Sequence, residues 1–371
     1  LYRAVFDQWA ALARRQGNPM LYRGYNWNLA ENMLPYSKLQ IWGEELAYYR
    51  DAGVEGLNVE ATKAWGVNGP SDWLFMQLAW DASQDWRVLL EDYCAKAFGD
   101  GAEPMRRYLL RLTETQRAAG QEAGSYHAIP LIFDHAFVAA AQADISQAEG
   151  LARLPAEKER IAYFRSGVDL LDFYLAYHEA ANRFDFRTAL ERYEAMHVTW
   201  RGYHARNPDI VAREAPAYLE RFIGPFVREA ARHQVLQPLP EQLKTAFGAG
   251  DYQDPAFDDS AWPVTSTWAS TWDAQRLAGQ TVWYRHRFTL TAEEAAGPLH
   301  LFLGGFDDRA TVWLNGRLIG DSGRRFSAPV MFDLSGAAAG ENLLAIKIVR
   351  DHPINEIGIG GLIRPSFLFS R

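Results

Sequence analysis

The spacing of hydrophobic residues changes near residue 240, and this change constrains the fold more than any other feature of the sequence. From residue 71 to about 234, apolar residues recur every three or four positions, as on the buried side of an amphipathic helix. From about residue 250, apolar and polar residues alternate, for example in Trp283–Leu290 and Leu299–Leu303. We therefore predict a helical region followed by an antiparallel β-sandwich, with Gln237–Pro240 as a stiff connector.

Within the helical region, the longest amphipathic patterns cover residues 155–184, 186–204 and 208–232. Charged residues lie opposite Leu, Phe and Tyr in these patterns, as in helices that pack side by side. A shorter helix is predicted to begin at Trp86, after a capping segment that ends at Asp85, and to end at Gly99.

The clearest local signal in the sandwich region is the dipeptide Asn315-Gly316. It joins the apolar run Val312–Leu314 to Arg317–Ile319. A two-residue hairpin turn of this type needs positive φ at both positions, which Asn and Gly tolerate best. The sequence therefore predicts a β-hairpin here.

The first 70 residues follow a different pattern, in which strand-like and helix-like segments alternate. Met20–Trp27 and Val54–Glu60 have the length and composition of strands, and Ser37–Asp51 between them has helical spacing. A strand, a helix and a strand in this order form a βαβ unit, which implies a parallel sheet or a (β/α) barrel.

The chain begins with Leu1 and reads as helical from the start, without the charged and apolar regions of a signal peptide. Two parallel strands are too few for a stable sheet of their own, since both faces must be covered. We therefore expect this chain to be the C-terminal part of a longer protein whose other strands lie upstream. The alternative is a chain that has lost only its initiator Met.

Composition excludes several classes of protein. The 371 residues carry a formal net charge of -8 and have no dense basic run, so we expect neither a nucleic-acid partner nor a membrane span. A single cysteine, Cys94, excludes an intramolecular disulfide. The nine histidines show no ligand spacing, so no metal or other cofactor is expected. Aromatic residues make up 13% of the chain, a content compatible with stacking on sugar rings as well as with an aromatic core.

The sandwich region resembles a known domain through several ordered motifs. They are Asp258–Pro263, Trp283–Phe288, Gly304–Asp308, Val312–Gly316, Gly340–Ala345 and Gly360–Pro365. Together they resemble the sugar-binding jelly roll of glycoside hydrolase family 2. The resemblance implies a galactose-binding-like β-sandwich, which we place at residues 238–371.

The front of the chain is similar to the bacterial domain of unknown function 4838. The matching residues are Asp51–Glu60, followed by Leu74, Leu78–Asp81, Asp85, Leu89, Leu90, Tyr93, Phe98 and Gly99. This family resembles the α-glucuronidase barrels, which implies that the two strands are late strands of a (β/α)8 barrel. We therefore expect a multidomain α+β protein with the barrel end in residues 1–70 and a helical domain in residues 71–237.

Two glutamates are candidates for catalysis. Glu60 ends a predicted barrel strand, where barrel enzymes place catalytic side chains, and a glycosidase needs two carboxyl groups across the scissile bond. The alternative is a Glu60 that pairs with Lys63 or caps the next loop. Glu31 lies in the loop after the earlier strand and is a candidate for the partner carboxyl, or else a solvated loop residue.

Five further residues are candidates for contact with substrate. Tyr25, Asn26 and Trp27 lie at the end of the first strand, where Trp27 would stack on a sugar and Asn26 would bond a hydroxyl. Trp65 and Asn68 belong to a predicted loop, Trp65–Gly69, that would cover the site. Packing at the barrel rim explains the same residues equally well.

These observations favour the C-terminal portion of a glycoside hydrolase that cleaves a polysaccharide or glycoside by carboxylate acid/base chemistry. We expect the fragment alone to be inactive, because upstream barrel residues of the same protein would complete the site. The alternative is a non-catalytic carbohydrate-binding protein that uses the sandwich. The family resemblance alone implies a periplasmic or extracellular bacterial location.

Overall fold

The computed structural model of the chain describes residues 2–25, 34–60, 63–120, 126–212, 217–268, 281–325, 328–350 and 361–370. Contacts divide the residues into two compact units: residues 1–175 with 194–218, and residues 176–193 with 219–371. The three predicted domains, residues 1–70, 71–237 and 238–371, stay predictions. The chain combines helices with mainly antiparallel sheets and is an α+β protein.

The helices and the first two strands are, in chain order, α1 (Tyr2–Gln16), β1 (Met20–Tyr25), α2 (Leu39–Asp51), β2 (Val54–Glu60), α3 (Trp65–Trp80), α4 (Trp86–Phe98), α5 (Ala102–Ala119), α6 (Ile129–Ile132), α7 (His135–Leu151), α8 (Pro155–Asn182), α9 (Phe186–Arg206), α10 (Ala217–Phe222) and α11 (Gly224–Ala230). Single 3₁₀ turns occupy Gly99–Gly101 and Tyr126–Ala128. No described helix is both long and apolar enough to cross a membrane.

The βαβ prediction is confirmed, because β1 pairs with β2 in parallel, with Tyr22 opposite Leu57 and Tyr25 opposite Glu60. The predicted short helix is α4, whose N-terminal cap is Asp85: its carboxylate accepts a hydrogen bond from the backbone N–H of Arg87. Two of the three long amphipathic patterns correspond to α8 and α9.

The third long pattern, over residues 208–232, is not one helix. The structure has the short helices α10 and α11 there. The chain ahead of them is extended at Val211, which forms an isolated bridge with Ala64. Pro225 explains the break between α10 and α11, because it lacks the backbone N–H that a continuous helix needs and fixes φ.

The predicted loop Trp65–Gly69 is wrong, since these residues form the first turns of α3. Two glycines and Pro70 favour a loop in the sequence. Tertiary packing overrides this preference at Gly66, where an added Cβ would lie 1.9 Å from Tyr203 Oη and 2.3 Å from the Tyr163 carbonyl oxygen. Glycine therefore permits close packing of α3 against α8 and α9.

The remaining elements are β3 (Val235–Pro238), β4 (Gln242–Phe247), β5 (Val264–Ser266), β6 (Thr281–Leu290), α12 (Ala292–Ala296), β7 (Leu299–Leu303), β8 (Phe306–Asp307), β9 (Arg309–Leu314), β10 (Arg317–Asp321), β11 (Val330–Asp333), β12 (Gly340–Val349), β13 (Gly361–Leu362) and β14 (Phe367–Ser370). One sheet has the order β10-β9-β12-β6-β4-β5, and a second has the order β11-β7-β14-β3. Alternate side chains of both sheets share one hydrophobic core, which includes Tyr284, Val312, Ile346, Leu301 and Leu368.

The predicted hairpin is confirmed. Asn315 and Gly316 have φ values of 50° and 81° and connect β9 to β10. The Asn315 side chain also bonds outside the turn: its Nδ2 donates to Asn342, and its Oδ1 accepts from the Leu343 backbone N–H.

The predicted connector Gln237–Pro240 is partly wrong, because Gln237 and Pro238 belong to β3, which pairs with β14. β3 is an edge strand of its sheet. A proline is tolerated at such an edge because no ladder hydrogen bond is required of it.

Candidate functional site

The parallel pair β1–β2 has two unlike faces. On one face Tyr22 stacks on Tyr49 of α2 with ring centroids 4.5 Å apart, and Phe6 of α1 packs on the same tyrosine. Strand side chains alternate between faces, so Arg23, Asn58 and Glu60 share the opposite face. This second face is polar towards the C-terminal ends of the strands.

Glu60 forms an ion pair with Arg23 across this polar face. The distance from Arg23 Nη2 to Glu60 Oε2 is 3.3 Å, and the two side chains are 57% and 39% exposed. The partner is therefore on the neighbouring strand and is not Lys63. An ion pair this accessible to solvent contributes about 0–1 kcal/mol to stability. This contact orients the Glu60 carboxylate, but it is too weak to indicate a structural role for the residue.

Arg23 and Asn58 were missed by sequence reasoning. Their signal is the period of two: Asn58 lies two positions before Glu60, and the parallel register places Arg23 opposite Asn58. The strand pair that places Glu60 at the end of β2 also places these polar side chains on the same face.

The structure brings only part of the predicted site together. Tyr25 lies opposite Glu60 in the strand register, which places the two backbones side by side. Asn26, Trp27 and Glu31 lie outside the described residues. Their assigned roles therefore stay predictions.

Trp65 and Asn68 lie in α3 among packed helices. Trp65 is half-buried, with its indole 2.7 Å from where a Cβ on Gly69 would lie, and Asn68 is only 7% exposed. Both residues have structural contacts that the sequence did not indicate. Contact of either residue with a substrate stays a prediction.

Asp72 is a third residue that sequence reasoning missed. It lies on α3, seven positions after Trp65, and its Oδ1 is buried without a hydrogen-bond partner among the described residues. Burial raises the pKa of this carboxyl to about 8, so that it is largely protonated at neutral pH. The only signal in the sequence is one acidic residue within the otherwise apolar stretch of α3.

The described residues offer no metal centre, since no three His, Cys, Asp or Glu side chains among them come together. His178 illustrates the role of the histidines in the helical region. It is packed inside its unit, and burial lowers its pKa to about 4, which keeps the imidazole neutral.

In the second unit, a motif of the sandwich has a structural role. Arg285, which is 2% exposed, donates to Asp259 at 2.7 Å and to the backbone carbonyls of Tyr252, Asp254 and Phe257. Burial works to raise the pKa of Asp259, but hydrogen bonds from Lys244 and Arg285 hold it below its usual value. The motif therefore fixes the segment ahead of β5 onto the sheet.

The tryptophans ahead of β6 are packed where the structure describes them. Trp262 meets Tyr252 edge to face, and Trp268 belongs to the sandwich core. Trp272 lies outside the described residues. Nearby, on the outer face of the six-stranded sheet, half-buried Trp313 stacks on buried Trp283 with centroids 5.0 Å apart.

Comparison with known families identifies the first part of the chain. Residues 2–110 match the domain of unknown function DUF4838. The resemblance predicted for this region is thereby confirmed. No curated protein matches the chain.

Several solved structures are similar to part of the chain. A β-glucuronidase from Bacteroides uniformis is 24% identical with a TM-score of 0.32, and the match covers 37% of this chain and 17% of that enzyme. A glycosyl hydrolase family 2 member from Bacteroides cellulosilyticus is 20% identical with a TM-score of 0.31, with coverages of 36% and 20%. A β-glucuronidase from Bifidobacterium dentium, complexed with coumarin-3-O-glucuronide, is 18% identical with a TM-score of 0.31, with coverages of 36% and 29%. The chain thus spans less than a third of the length of each of these proteins.

Proposed function

We propose that this chain is the C-terminal portion of a glycoside hydrolase and that Glu60 supplies one of its two reacting carboxyl groups. The observation that carries the proposal is the position of Glu60. It ends a parallel strand on the polar face of the β1–β2 pair, at the end of the strand where (β/α) barrels hold substrate.

The proposal includes a finer fold. β1 and β2 are late strands of a (β/α)8 barrel, and the sandwich is a galactose-binding-like jelly roll. Arg23, Asn58 and Glu60 then face the barrel interior, because α1 and α2 pack on the other face of the strands. The resemblance of the front region to α-glucuronidase barrels supports the same assignment.

Glu60 suits the ionised member of the carboxyl pair, because its neighbour is a guanidinium and the pair is open to solvent. The ionised carboxylate acts as the nucleophile in a retaining glycosidase or activates a water molecule in an inverting one. The protonated partner comes from Glu31 or from barrel strands that precede this chain. Without those strands, the chain alone does not hydrolyse glycosides.

The experiment compares Glu60→Gln with Glu55→Gln in the protein produced with the sequence that precedes Leu1. Glu55 lies on the same strand, is exposed and carries the same charge, so its substitution is a matched control. Turnover of a chromogenic glycoside should fall about 100-fold or more in Glu60→Gln and change little in Glu55→Gln. Equal activity of the wild type and Glu60→Gln would contradict the assignment.

A second candidate function is non-catalytic carbohydrate binding by the sandwich. For both candidate functions, the proposed location is periplasmic or extracellular in a bacterium. The observation that favours it is the outer face of the six-stranded sheet. Trp313 is half-buried there, and the Lys347 ammonium lies 5.3 Å from the ring centre of Trp283. Binding that is lost in Trp313→Ala, in a protein without turnover, would select this function.

A further inference from the structure

We infer that a cleft between α2, α4 and α5 binds a neutral, hydroxyl-rich ligand of saccharide class. This site is separate from Glu60. The saccharide class rests on the function proposed above, whereas the cleft and its charge pattern rest on the contacts described below.

The cleft has a volume of about 360 Å³, within the range of small-molecule sites. Its apolar wall is formed by Trp86, Val88, Leu90 and Leu110. The polar groups that line it are Gln40, Arg87, Glu91, Arg106, Thr113, Glu114 and Arg117. A small number of polar groups beside an apolar wall is the usual composition of a binding pocket.

The wall of the cleft is held in place by local packing. An added Cβ on Gly43 of α2 would lie 2.1 Å from the Trp86 ring, so this glycine makes room for the indole. Trp86 is 7% exposed, and the Arg87 guanidinium lies 4.4 Å from its ring centre. The aromatic ring and the cation therefore occupy defined positions in the cleft.

The charges of the cleft favour a neutral ligand. Arg106 is already neutralised by Glu103, to which it donates two hydrogen bonds at 2.9 and 3.2 Å. In the part of the chain that the structure describes, Arg87, Arg117, Glu91 and Glu114 form no ion pair. These two guanidinium groups and two carboxylates balance one another, so the cleft attracts neither an anion nor a cation strongly.

A hydroxyl group matches this arrangement. It donates one hydrogen bond and accepts others, so neighbouring hydroxyls of one molecule can bond a carboxylate and a guanidinium at the same time. Hydrogen bonds to charged groups are stronger than those between neutral groups. A sugar with several hydroxyls and an apolar C–H face therefore satisfies both the charged groups and the apolar wall, mainly the exposed Val88 and the half-buried Leu110.

The test is a titration of the chain with cellobiose, xylobiose, maltose and lactose, and with glucuronic acid as an anionic probe. Binding is measured by calorimetry and by saturation transfer from protein to ligand. At least one neutral disaccharide should bind, and more tightly than glucuronic acid. Failure of all four to bind, or at least tenfold tighter binding of the anion, would overturn the inference.

Variants locate the site. Glu114→Gln and Arg117→Gln lie on exposed positions of α5 and should each weaken binding at least tenfold, while circular dichroism stays unchanged. Lys158→Gln removes one charge from exposed α8 outside the cleft and should leave affinity unchanged. Normal affinity in both α5 variants would place the sugar elsewhere and refute the site.

The outcome of the sugar titration is independent of the outcome of the Glu60→Gln turnover experiment, because the titration measures binding without turnover. If the cleft binds sugar and Glu60→Gln keeps full activity, the proposed catalytic residue fails and the cleft stands. If Glu60→Gln abolishes activity and the α5 variants bind sugar normally, the cleft fails and the catalytic residue stands.

Discussion

Replacing Gly66 with alanine should destabilise the first unit strongly, although alanine is the better helix former. The new Cβ would lie 1.9 Å from Tyr203 Oη and 2.3 Å from the Tyr163 carbonyl oxygen, which are joined by a 2.6 Å hydrogen bond. Real Cβ contacts are not this short, and one of the two obstacles is backbone. The Tyr203 hydroxyl has to leave its acceptor, and α3 also has to shift away from α8, because displacing Tyr203 alone would leave the Tyr163 carbonyl in place.

Three contributions set the magnitude. Overpacking costs about 1–3 kcal/mol. Leaving the buried Tyr203 hydroxyl and Tyr163 carbonyl without each other costs about 1–3 kcal/mol. The gain in helix propensity from glycine to alanine offsets about 1 kcal/mol. The net loss of unfolding free energy is about 3 kcal/mol, which lowers a urea midpoint by about 1 M or more.

The matched control is Gly202→Ala in α9, the residue before Tyr203. Gly202 is exposed, and an added Cβ there meets nothing within 4 Å. Only helix propensity then changes, and the variant should be more stable by up to about 1 kcal/mol. Urea unfolding followed by circular dichroism at 222 nm measures both variants. Gly66→Ala with a midpoint equal to or above that of the wild type would refute the packing argument.

Two further predictions concern the hairpin and the buried acid. Asn315→Val should destabilise the sandwich by about 1 kcal/mol or more. It forces a β-branched residue to φ near 50° and removes the hydrogen bonds to Asn342 and Leu343. An unchanged denaturant midpoint would contradict this. In the folded state, the pKa of Asp72 is raised to about 8 from an ordinary value of 3.8. The folded protein therefore binds the proton more tightly than the unfolded chain, and its stability falls as pH rises from about 4 to 8. Asp72→Asn should therefore gain more than about 1 kcal/mol relative to wild type between pH 5 and 8 in urea titrations, and a gap that does not change with pH would contradict this.

The elements that the sequence predicts well are those with a local cause. Asn315-Gly316 requires its turn whatever surrounds it, and the alternation from Trp283 to Leu290 reflects a strand whose Tyr284, Phe288 and Leu290 face the sandwich core. The helices α8 and α9 follow from long amphipathic patterns for the same reason.

The elements that it predicts poorly have causes distant in the chain. Gly66 is a glycine within the first turn of α3 because Tyr163 and Tyr203, about 100 and 140 residues later, leave no room for a side chain. Gln237 and Pro238 are a strand only because β14, near the end of the chain, pairs with them. Such contacts leave no trace in local composition.

The residues of the candidate site also differ in how well the sequence predicts them. The sequence places Glu60 at the end of a strand, but the ion pair of Glu60 with Arg23 depends on the parallel register. The raised pKa of Asp72 depends on burial between helices, which a single acidic residue in an apolar stretch does not reveal.

A crystal structure of the full-length Glu60→Gln variant, in complex with a glycoside that the wild type hydrolyses, would show directly whether Glu60 meets the substrate. We expect a sugar bound at the C-terminal ends of β1 and β2, with its anomeric carbon or glycosidic oxygen within about 3.5 Å of the residue 60 amide, the distance of a reacting pair. A sugar bound only beside Trp313 or in the cleft between α2, α4 and α5, with none at residue 60, would contradict the assignment of Glu60.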